Sequence, residues 1–502
     1  MYKVPTSYYV CSGEQCRTMD ERTINEFGID GFTLMEVAGT KAADFIASRT
    51  TPNDVGLFFC GKGNNAGDAL VVARILSEKG YSITLCFVDG TSNLSLDAAR
   101  NFELLQKLQG NISIVDWTTE LSPSSFDFIV DGMLGTGLKS NVRAPYSDII
   151  KWINHSNITT FSLDLPSGLN PDTGEIMGSS VSAQYTLTFG ALKTGFYLTD
   201  GPDYVGDIVL CELPFPNQFK KSSAYLIDDG WVEESIPITK ERAHKYADGV
   251  LYIIAGSEGL TGAATLAAQS AWATGIGAVV LITPKGLLDV YEKNLIQIIK
   301  KPVGTSEDTF FKPAHLNQVL EILSDKPGKL LIGPGLSRNE LTLEFTQKLL
   351  TQYEGDAVID ADALFALSLV ENWEKPNSSN WIITPHPGEF KNLFGATTSS
   401  SYERLLQSKT SSLKKGITIL AKGFPCIVGT SAEDIYLTGY DTRIFNRAGF
   451  GDVLAGKVGA YYLEYGDPAL ACFLALLDGK NKALAFSSGP NDYLSLEPIN
   501  LL

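Results

Sequence analysis

The sequence contains few of the residues that build metal centres and disulfide frameworks. Among 502 residues there are only four histidines, and the seven cysteines are scattered without a single CxxC pair. This pattern argues against a zinc site and against a small secreted fold held by disulfides. We expect the cysteines to be buried, reduced thiols of a cytoplasmic protein.

Long apolar runs and an excess of positive charge are also missing. No apolar segment approaches the roughly 18 residues needed to span a bilayer, and the start, MYKVPTSYYVCSG, lacks the basic-then-apolar pattern of a secretion signal. A net charge of −17 argues against a general nucleic-acid surface. We therefore expect a protein that binds neither membranes nor nucleic acids, and any phosphate ligand must be held by local backbone amides.

What the sequence does contain is the pattern of two α/β domains. The length predicts two to four domains, and the segment LPFPNQFKKSSA, with two prolines and no periodicity, divides the chain near residues 215–225. On both sides, short Val/Ile/Leu-rich runs alternate with helix-like stretches, which favours parallel sheets covered on both faces. We place the domains at residues 1–220 and 221–502.

In the first half, three polar loops directly follow apolar runs. They are GKGNNAGDA after VGLFFC, DGMLGTGL after FDFIV, and DLPSGLNPDTG after FSL. If the strands are neighbours, Asn65, Asp131 and Ser167 converge beside a glycine loop that cradles phosphate. Their oxygens suit an alkali or alkaline-earth cation. Taken singly, each loop could equally be an ordinary turn.

In the second half, the segment AGFGDVLAG gives the sharpest signal. Its Gly-x-Gly opens a helix and directs free backbone N–H groups at an anion. Asp452, in the first turn, is placed to take a proton from a hydroxyl during phosphoryl transfer; the alternative is a simple N-terminal helix carboxylate. His386, between two prolines in TPHPGEF, is interpreted as a ligand contact, although a lone histidine is more often structural.

The first half resembles the YjeF N-terminal domain, the NAD(P)H-hydrate epimerase. The resemblance rests on TMDERTINEFGIDGFTLMEVAG, GKGNNAGDALV, DGMLGTGL, SLDLPSGLNPDTGEIMG and YTLTFGALKTGFY, in that order, across residues 15–213. It implies a three-layer αβα Rossmann-like domain that interconverts the R and S forms of hydrated NADH or NADPH (NADHX and NADPHX).

The same resemblance implies roles for individual residues of the first half. Potassium ligands would be Asn65, Asp131 and Ser167, and the carboxylate that contacts the substrate and transfers a proton would be Asp164, with Lys193 as its partner. The implied substrate-binding residues are Asn64, Asn65, Ala66, Gly67, Asp68, Gly135, Thr136, Gly137, Leu138, Lys139, Ser140, Asn141 and Asp164.

The second half resembles ribokinase-like kinases and, within them, the ADP- or ATP-dependent NAD(P)H-hydrate dehydratase, the YjeF C-terminal domain. The resemblance rests on AGSEGLTGAA, GPGLS, DADAL, TPHPGEF, ILAKG and AGFGDVLAG, over about residues 240–480. It implies phosphorylation of the ring hydroxyl followed by loss of phosphate, with Mg²⁺ bridging the nucleotide phosphates and Asp452 as the catalytic base. The implied substrate contacts are Ala263, Gly335, His386 and Asp452. The implied nucleotide contacts are Lys422, Gly423, Phe424, Pro425, Cys426 and Gly451.

Together the halves predict a bifunctional, homo-oligomeric nucleotide repair enzyme, with the choice between ADP and ATP left open. Family glycines are replaced by Ala66, Ala69, Ala448 and Tyr246, and Phe450 stands where Ser or Thr is usual. One rival hypothesis is a vitamin or sugar kinase joined to a dinucleotide-binding regulatory domain. A second rival is a non-catalytic nucleotide sensor, in which these replacements mark lost activity.

Overall fold

The computed structural model describes residues 2–108, 110–119, 121–237, 249–376, 380–395, 400–486 and 496–502. The chain forms two compact units, Val4–Tyr225 and Leu226–Leu502, the second together with Tyr2 and Lys3. Tyr246 lies outside the described residues. Among the helices of the described ranges, none is both long and apolar enough to cross a membrane.

The elements of the first unit alternate between strands and helices. Its strands are β1 (Tyr9–Cys11), β2 (Val55–Cys60), β3 (Ser82–Phe87), β4 (Ile112–Val115), β5 (Phe128–Gly132), β6 (Thr159–Leu163), β7 (Tyr185–Phe189), β8 (Leu192–Lys193) and β9 (Asp207–Cys211). Its helices are α1 (Gly13–Arg22), α2 (Gly31–Arg49), α3 (Asn64–Glu78), α4 (Leu96–Gln106), α5 (Tyr146–Ser156) and α6 (Gly201–Tyr204).

The main sheet of the first unit is parallel, in the order β4-β3-β2-β5-β6-β7-β9. Alternate residues of β2 point to opposite faces: Phe58 packs with α2, α3 and α4, and Phe59 packs with α5. The unit therefore has three layers, helices on both faces of a sheet. The strand order reverses beside β2, which opens a crevice beyond the carboxyl ends of β2 and β5.

The second unit contains a longer series of elements. Its strands are β11 (Val250–Ile254), β12 (Val279–Pro284), β13 (Ile299–Val303), β14 (Gly328–Ile332), β15 (Ala357–Ile359), β16 (Trp381–Ile383), β17 (Thr418–Ala421), β18 (Ile427–Gly429) and β19 (Ile435–Thr438), and β10 (Ala224–Ile227) spans the division between the units. Its helices are α7 (Asp229–Glu234), α8 (Thr261–Ala273), α9 (Leu288–Asn294), α10 (Leu316–Ser324), α11 (Glu340–Gln352), α12 (Ala361–Ser368), α13 (Pro387–Phe394), α14 (Ser401–Lys415), α15 (Phe450–Tyr465) and α16 (Pro468–Phe486).

The strand order in this unit is β13-β12-β11-β14-β15-β16-β17-β18-β19. Pairing is parallel from β13 to β17 and antiparallel for the last two pairs. The α/β class with parallel sheets, expected from the alternating apolar runs, is confirmed in both units.

Candidate active sites

At the carboxyl end of β5, a carboxylate is buried within a set of hydrogen bonds. Asp131 is fully buried, and its two oxygens accept hydrogen bonds from the Ser167 hydroxyl at 2.6 Å, the Ser162 hydroxyl at 2.9 Å and the Ser167 backbone N–H at 2.8 Å. Burial raises the pKa of Asp131, and these donors oppose the rise. Two of the predicted cation ligands, Asp131 and Ser167, are thus in direct contact.

The third predicted ligand, Asn65, reaches the same place from the first turn of α3. Its Nδ2 donates to the Leu134 carbonyl at 3.3 Å, and the Leu134 N–H donates to Ser167 Oγ at 2.8 Å. Asn65 Oδ1 is buried and accepts no hydrogen bond from the described residues. A buried acceptor without a donor is costly, and a cation would satisfy it. The cluster therefore fits a hard cation, although the described residues hold no group of three His, Cys, Asp or Glu side chains that could bind a metal.

A cavity of about 800 Å³ lies beside this cluster, within the first unit. The predicted substrate residues that line it are Asn64, Asn65, Asp68, Gly135, Thr136, Gly137, Leu138, Lys139, Ser140 and Asp164. Three others do not line it: Ala66 and Gly67 are buried in α3, and Asn141 is exposed beyond the loop. The volume lies within the range of sites for small molecules and cofactors.

Asp164, which follows β6, faces this cavity in a left-handed backbone conformation with φ of 64°. Its Oδ1 accepts a hydrogen bond from Lys193 Nζ at 2.5 Å, and its Oδ2 lies close to Gly135. Lys193 is 1% exposed and also donates to Thr188 Oγ1 at 2.6 Å and to the Phe189 carbonyl at 3.2 Å. Burial lowers the pKa of Lys193, but the charge of Asp164, the hydrogen bond to it and the nearby Cys16 and Asp20 together outweigh burial, and the net shift is upward. The lysine therefore remains charged and holds Asp164 in place.

Asp20 adds a titratable group to the cavity that the motifs did not single out, because α1 precedes the glycine loops. Burial and the charge of Asp164 raise the pKa of Asp20 to about 7. The same two effects raise the pKa of Asp68, already predicted as a substrate contact, well above its usual range. Three carboxyl groups, those of Asp20, Asp68 and Asp164, thus line the same cavity as the buried Lys193. Only their convergence in the fold reveals this, since α1, α3 and β6 are far apart in sequence.

In the second unit, α15 begins as the glycine pair predicts. Gly449 is the N-cap with φ of 94°, and Asp452 lies in the first turn. Burial raises the pKa of Asp452 to about 7, with the charges of Asp360 and Asp362 adding to the rise and Lys422 opposing it. A carboxyl group with a pKa near 7 is suited to accept a proton at neutral pH.

Lys422 lies at the carboxyl end of β17, and its Nζ donates to Asp360 Oδ1 at 2.7 Å. Thr384 Oγ1 donates to the same oxygen at 2.7 Å, whereas Asp360 Oδ2 is buried and accepts no hydrogen bond from the described residues. A Cβ placed on Gly451 would lie 3.6 Å from Lys422 Nζ. The lysine therefore connects the end of β15 with the start of α15.

The predicted nucleotide segment forms the wall of a second cavity, of about 90 Å³. Lys422, Gly423, Cys426 and Gly451 line it. The backbone carbonyls of Phe424 and Pro425 instead accept hydrogen bonds from the buried guanidinium of Arg404, at 3.2 and 2.8 Å. The hydrogen bonds from Arg404 thus fix the middle of the segment, while Lys422, Gly423 and Cys426 face the cavity.

His386 and Glu389 form a reciprocal cap at the start of α13. His386 Nδ1 accepts from the N–H groups of Gly388 at 3.0 Å and Glu389 at 3.3 Å, and the Glu389 carboxylate accepts from the His386 N–H at 2.9 Å. Burial and the charge of Lys422 lower the pKa of His386. The histidine therefore has the structural role of a neutral helix cap, and its half-exposed ring lies within the electrostatic reach of Lys422 and Asp360.

The two remaining predicted substrate contacts are neighbours. Gly335 has φ of 61°, and a Cβ at this position would lie 3.0 Å from the Ala263 side chain and 2.6 Å from the Leu260 carbonyl. Neither residue lines the nucleotide cavity. This close approach of the loop after β14 to α8 requires glycine.

The departures from the family pattern have a local explanation. Ala66 lies in the helical turn of α3 and is absent from the positions with positive φ, so alanine brings no backbone strain there. Phe450 is buried with Leu496 and Leu501, and a Cβ on Gly449 would lie 2.9 Å from the Pro498 ring. The aromatic ring that replaces a hydroxyl thus packs against the segment that covers the start of α15.

The chain is an α/β protein of two compact units with a candidate strand-end site described in each, and known families match each part. Residues 31–195 match the family described as YjeF-related protein N-terminus, and residues 251–479 match NAD(P)H-hydrate dehydratase. A crystal structure of the ADP/ATP-dependent NAD(P)H-hydrate dehydratase from Bacillus subtilis, co-crystallized with ATP/Mg²⁺, is 21% identical, covers 55% of this chain and 94% of its own, and has a TM-score of 0.47.

Curated relatives match both units at once. The bifunctional NAD(P)H-hydrate repair enzyme Nnr of Salinibacter ruber is 32% identical over 459 residues, which is 87% of this chain and 84% of the relative. The enzyme of the same name from Moorella thermoacetica is 29% identical over 462 residues, 90% of this chain and 87% of the relative. The chain belongs to the family of bifunctional NAD(P)H-hydrate repair enzymes, as its motifs predict.

Proposed function

We propose that the first unit epimerises R- and S-NAD(P)HX and that the second dehydrates S-NAD(P)HX to NAD(P)H. The dehydration consumes ADP or ATP and releases AMP or ADP together with phosphate. The observation that carries this proposal is the pair of strand-end sites, each with a lysine bound to an aspartate beside a second carboxyl group of raised pKa. Family membership supports the pairing of both activities in one chain.

In the first unit, Asp164 is the residue that exchanges a proton with the substrate while the configuration inverts at the hydroxyl-bearing carbon of the ring. Its Oδ2 lies on the side of Gly135, within the loop that lines the cavity, while Lys193 occupies Oδ1. Lys193 is a positioning residue, because its three hydrogen bonds fix the orientation of the carboxylate. The loops around Asn64 and Gly135 bind the nucleotide part of the substrate.

Asn65, Asp131 and Ser167 would hold K⁺, whose charge offsets that of the substrate phosphates. The buried Asn65 Oδ1 without a donor supports this assignment. Replacing potassium by a large organic cation is expected to slow epimerisation, and Asp131→Asn to remove the potassium dependence. Equal rates with and without potassium would contradict the assignment.

In the second unit, Asp452 takes the proton of the ring hydroxyl as the phosphoryl group of ADP or ATP arrives. The backbone N–H groups at Gly449 to Gly451 bind the transferred phosphate, and Lys422 to Cys426 bind the nucleotide. Ala263, Gly335 and His386 border the hydrated ring. Mg²⁺ would enter with the nucleotide phosphates, since it usually binds through few carboxylates plus substrate oxygens. Asp360 Oδ2, which accepts no hydrogen bond from the described residues, would be a candidate ligand.

The decisive experiment supplies mixed R- and S-NADHX with Mg²⁺, K⁺ and either ADP or ATP, and follows the absorbance of the reduced ring. Complete recovery with one nucleotide is the expected result. Recovery of only the S fraction would contradict the proposed epimerase activity of the first unit. No recovery would favour a nucleotide sensor or another kinase. We further propose that the protein is a cytoplasmic homo-oligomer. Light scattering of the purified chain tests its assembly, and cell fractionation tests its location.

A further inference from the structure

The start of α1 places two cysteines at positions where helices usually carry an apolar contact. Ser12 is the N-cap: its hydroxyl accepts from the Gln15 N–H at 3.2 Å, and Gln15 Oε1 accepts from the Ser12 N–H at 2.9 Å. In such a capping box, the residue before the cap packs on the fourth helical residue. Here those residues are Cys11 and Cys16.

The two thiols lie in the same small core of the first unit. Both side chains are buried in one cluster, at the two positions that such a cap brings together, and Cys11 Sγ donates a hydrogen bond to the Lys221 carbonyl at 3.0 Å. The reciprocal Ser12–Gln15 cap fixes the backbone between them, so their proximity is built into the helix start. By comparison, Cys60 and Cys86 lie on adjacent strands but in the clusters on opposite faces of the sheet, where they cannot meet.

Cys16 also lines the 800 Å³ cavity. The same helix presents Asp20 to the cavity and ties itself to the substrate loop, because Arg17 Nη1 donates to the Thr136 carbonyl at 3.3 Å. A change in the first turn of α1 is therefore transmitted to residues that border the substrate.

We propose that Cys11 and Cys16 form a redox site that hydroperoxides oxidise to a disulfide, and that this disulfide alters the substrate cavity of the first unit. With hydrogen peroxide, the Cys16 thiol loses its proton, the thiolate attacks one peroxide oxygen, and the O–O bond breaks; the leaving hydroxide takes up the proton, so that a sulfenic acid and one water form. The Cys11 sulfur then attacks that sulfur, the S–S bond forms, and a second water leaves. Two thiols lose two electrons in all, and hydrogen peroxide is reduced to two waters.

Electrostatics assign the attacking role to Cys16. The neighbouring Cys11 side chain lowers the pKa of Cys16, and the nearby charge of Lys193 adds to this effect against the opposing effect of burial. The pKa of Cys11 is raised, chiefly by the neighbouring Cys16 side chain and by burial. Cys16, which faces the cavity, is thus also the thiol that a small hydroperoxide can reach.

An S–S bond is about 2 Å long, which is shorter than any contact between two separate thiols. Its formation draws the first turn of α1 toward β1 and thereby changes the hydrogen bond from Arg17 to the loop at Thr136. On the proposed function of this unit, we expect epimerisation to slow on the order of tenfold, since small displacements of positioning groups have effects of this size. Dehydration in the second unit is expected to continue unchanged.

The redox site is tested by mapping the oxidation state of the cysteines, without an activity assay. The full chain, reduced and then exposed to hydrogen peroxide, is unfolded, alkylated and mapped by mass spectrometry. We expect a Cys11–Cys16 cross-link, two hydrogens lighter than the dithiol and reversed by dithiothreitol, with the other five cysteines alkylated. Cys11→Ala should abolish the cross-link and the matched core variant Cys86→Ala should retain it. Wild-type protein with both thiols still alkylated, or with Cys16 as sulfinic acid beside reduced Cys11, would overturn the proposal.

The effect on the cavity is tested by assaying epimerisation and dehydration before oxidation, after it and after reduction. A reversible fall in epimerisation alone is expected. A mapped disulfide with unchanged epimerisation would overturn the link to the cavity. A reduced protein that never epimerises would instead contradict the proposed function, and the cross-link itself would still be judged by mass.

Discussion

Both sites contain a similar lysine–aspartate ion pair, but the pair has a different role in each. Each contains a lysine that donates to an aspartate at a strand end, Lys193 to Asp164 at 2.5 Å and Lys422 to Asp360 at 2.7 Å; Lys193 is buried and Lys422 is partly exposed. In the first unit the lysine holds the carboxylate that faces the substrate loop. In the second it holds a neighbour, and Asp452, whose pKa is about 7, forms no ion pair with any of the described residues. The two sites therefore differ in whether the lysine holds the proposed catalytic carboxylate itself or an aspartate beside it.

Removing the unpaired carboxylate should have the largest effect. Asp452→Asn is expected to lower dehydration by about 10²–10⁴-fold, the usual contribution of a general base, and to leave epimerisation intact. Nucleotide-dependent recovery of S-NADHX measures the loss. Glu340→Gln, another carboxylate in the first turn of a helix, is the matched control. Substantial residual dehydration in Asp452→Asn would contradict the role of Asp452 as the base, and the two sites would then differ less than proposed.

Removing the paired lysine should have a smaller effect. Lys193→Met leaves Asp164 without its buried partner, and we expect epimerisation to fall on the order of 10²-fold through lost positioning. Conversion of R-NADHX in the presence of excess dehydratase measures the rate. The exposed Lys151→Met on α5 should behave as wild type. If both variants epimerise equally well, the ion pair is structural only.

The next prediction concerns the pH dependence of dehydration, which should follow the titration of Asp452 in the second unit. A base with a raised pKa is protonated, and so inactive, below that pKa, and it becomes active as the pH rises through it. We therefore expect dehydration under limiting substrate to fall about tenfold per pH unit below the Asp452 pKa of about 7. A profile of dehydration from pH 5 to 9 checks this. A flat profile across pH 7 would deny Asp452 the role of base.

The smallest effect concerns His386. His386→Ala removes the acceptor that caps α13, and we expect the free energy of unfolding of the second unit to fall by about 1 kcal/mol. His386→Asn supplies another capping oxygen and should restore it. Denaturant unfolding followed by tryptophan fluorescence compares the two. Equal destabilisation by both variants would indicate that the ring contacts matter more than the cap.

The sequence was most informative where polar residues directly follow apolar strands. Asp131 and Ser167 were predicted together because parallel strands end at one edge of a sheet, and they are in contact. Asp20 lies in the first motif of the family resemblance, but its role was not predicted, because its helix precedes the main sheet and only tertiary packing brings it to the cavity of Asp164. The role of His386 as a cap was missed for a related reason, since the neighbouring prolines indicate an extended backbone but not the hydrogen bonds of the ring.

The packing of Phe450 against Leu496 and Leu501 has a consequence for genetics. A nonsense or frameshift mutation just after α16 would leave every strand and every charged residue of the second site in place. It would remove Leu496, Pro498 and Leu501, which pack against the start of the helix that carries Asp452. Such an allele would accumulate the S hydrate while the two epimers remained in equilibrium. A lesion at the far end of the chain would thus have the phenotype of an active-site mutation.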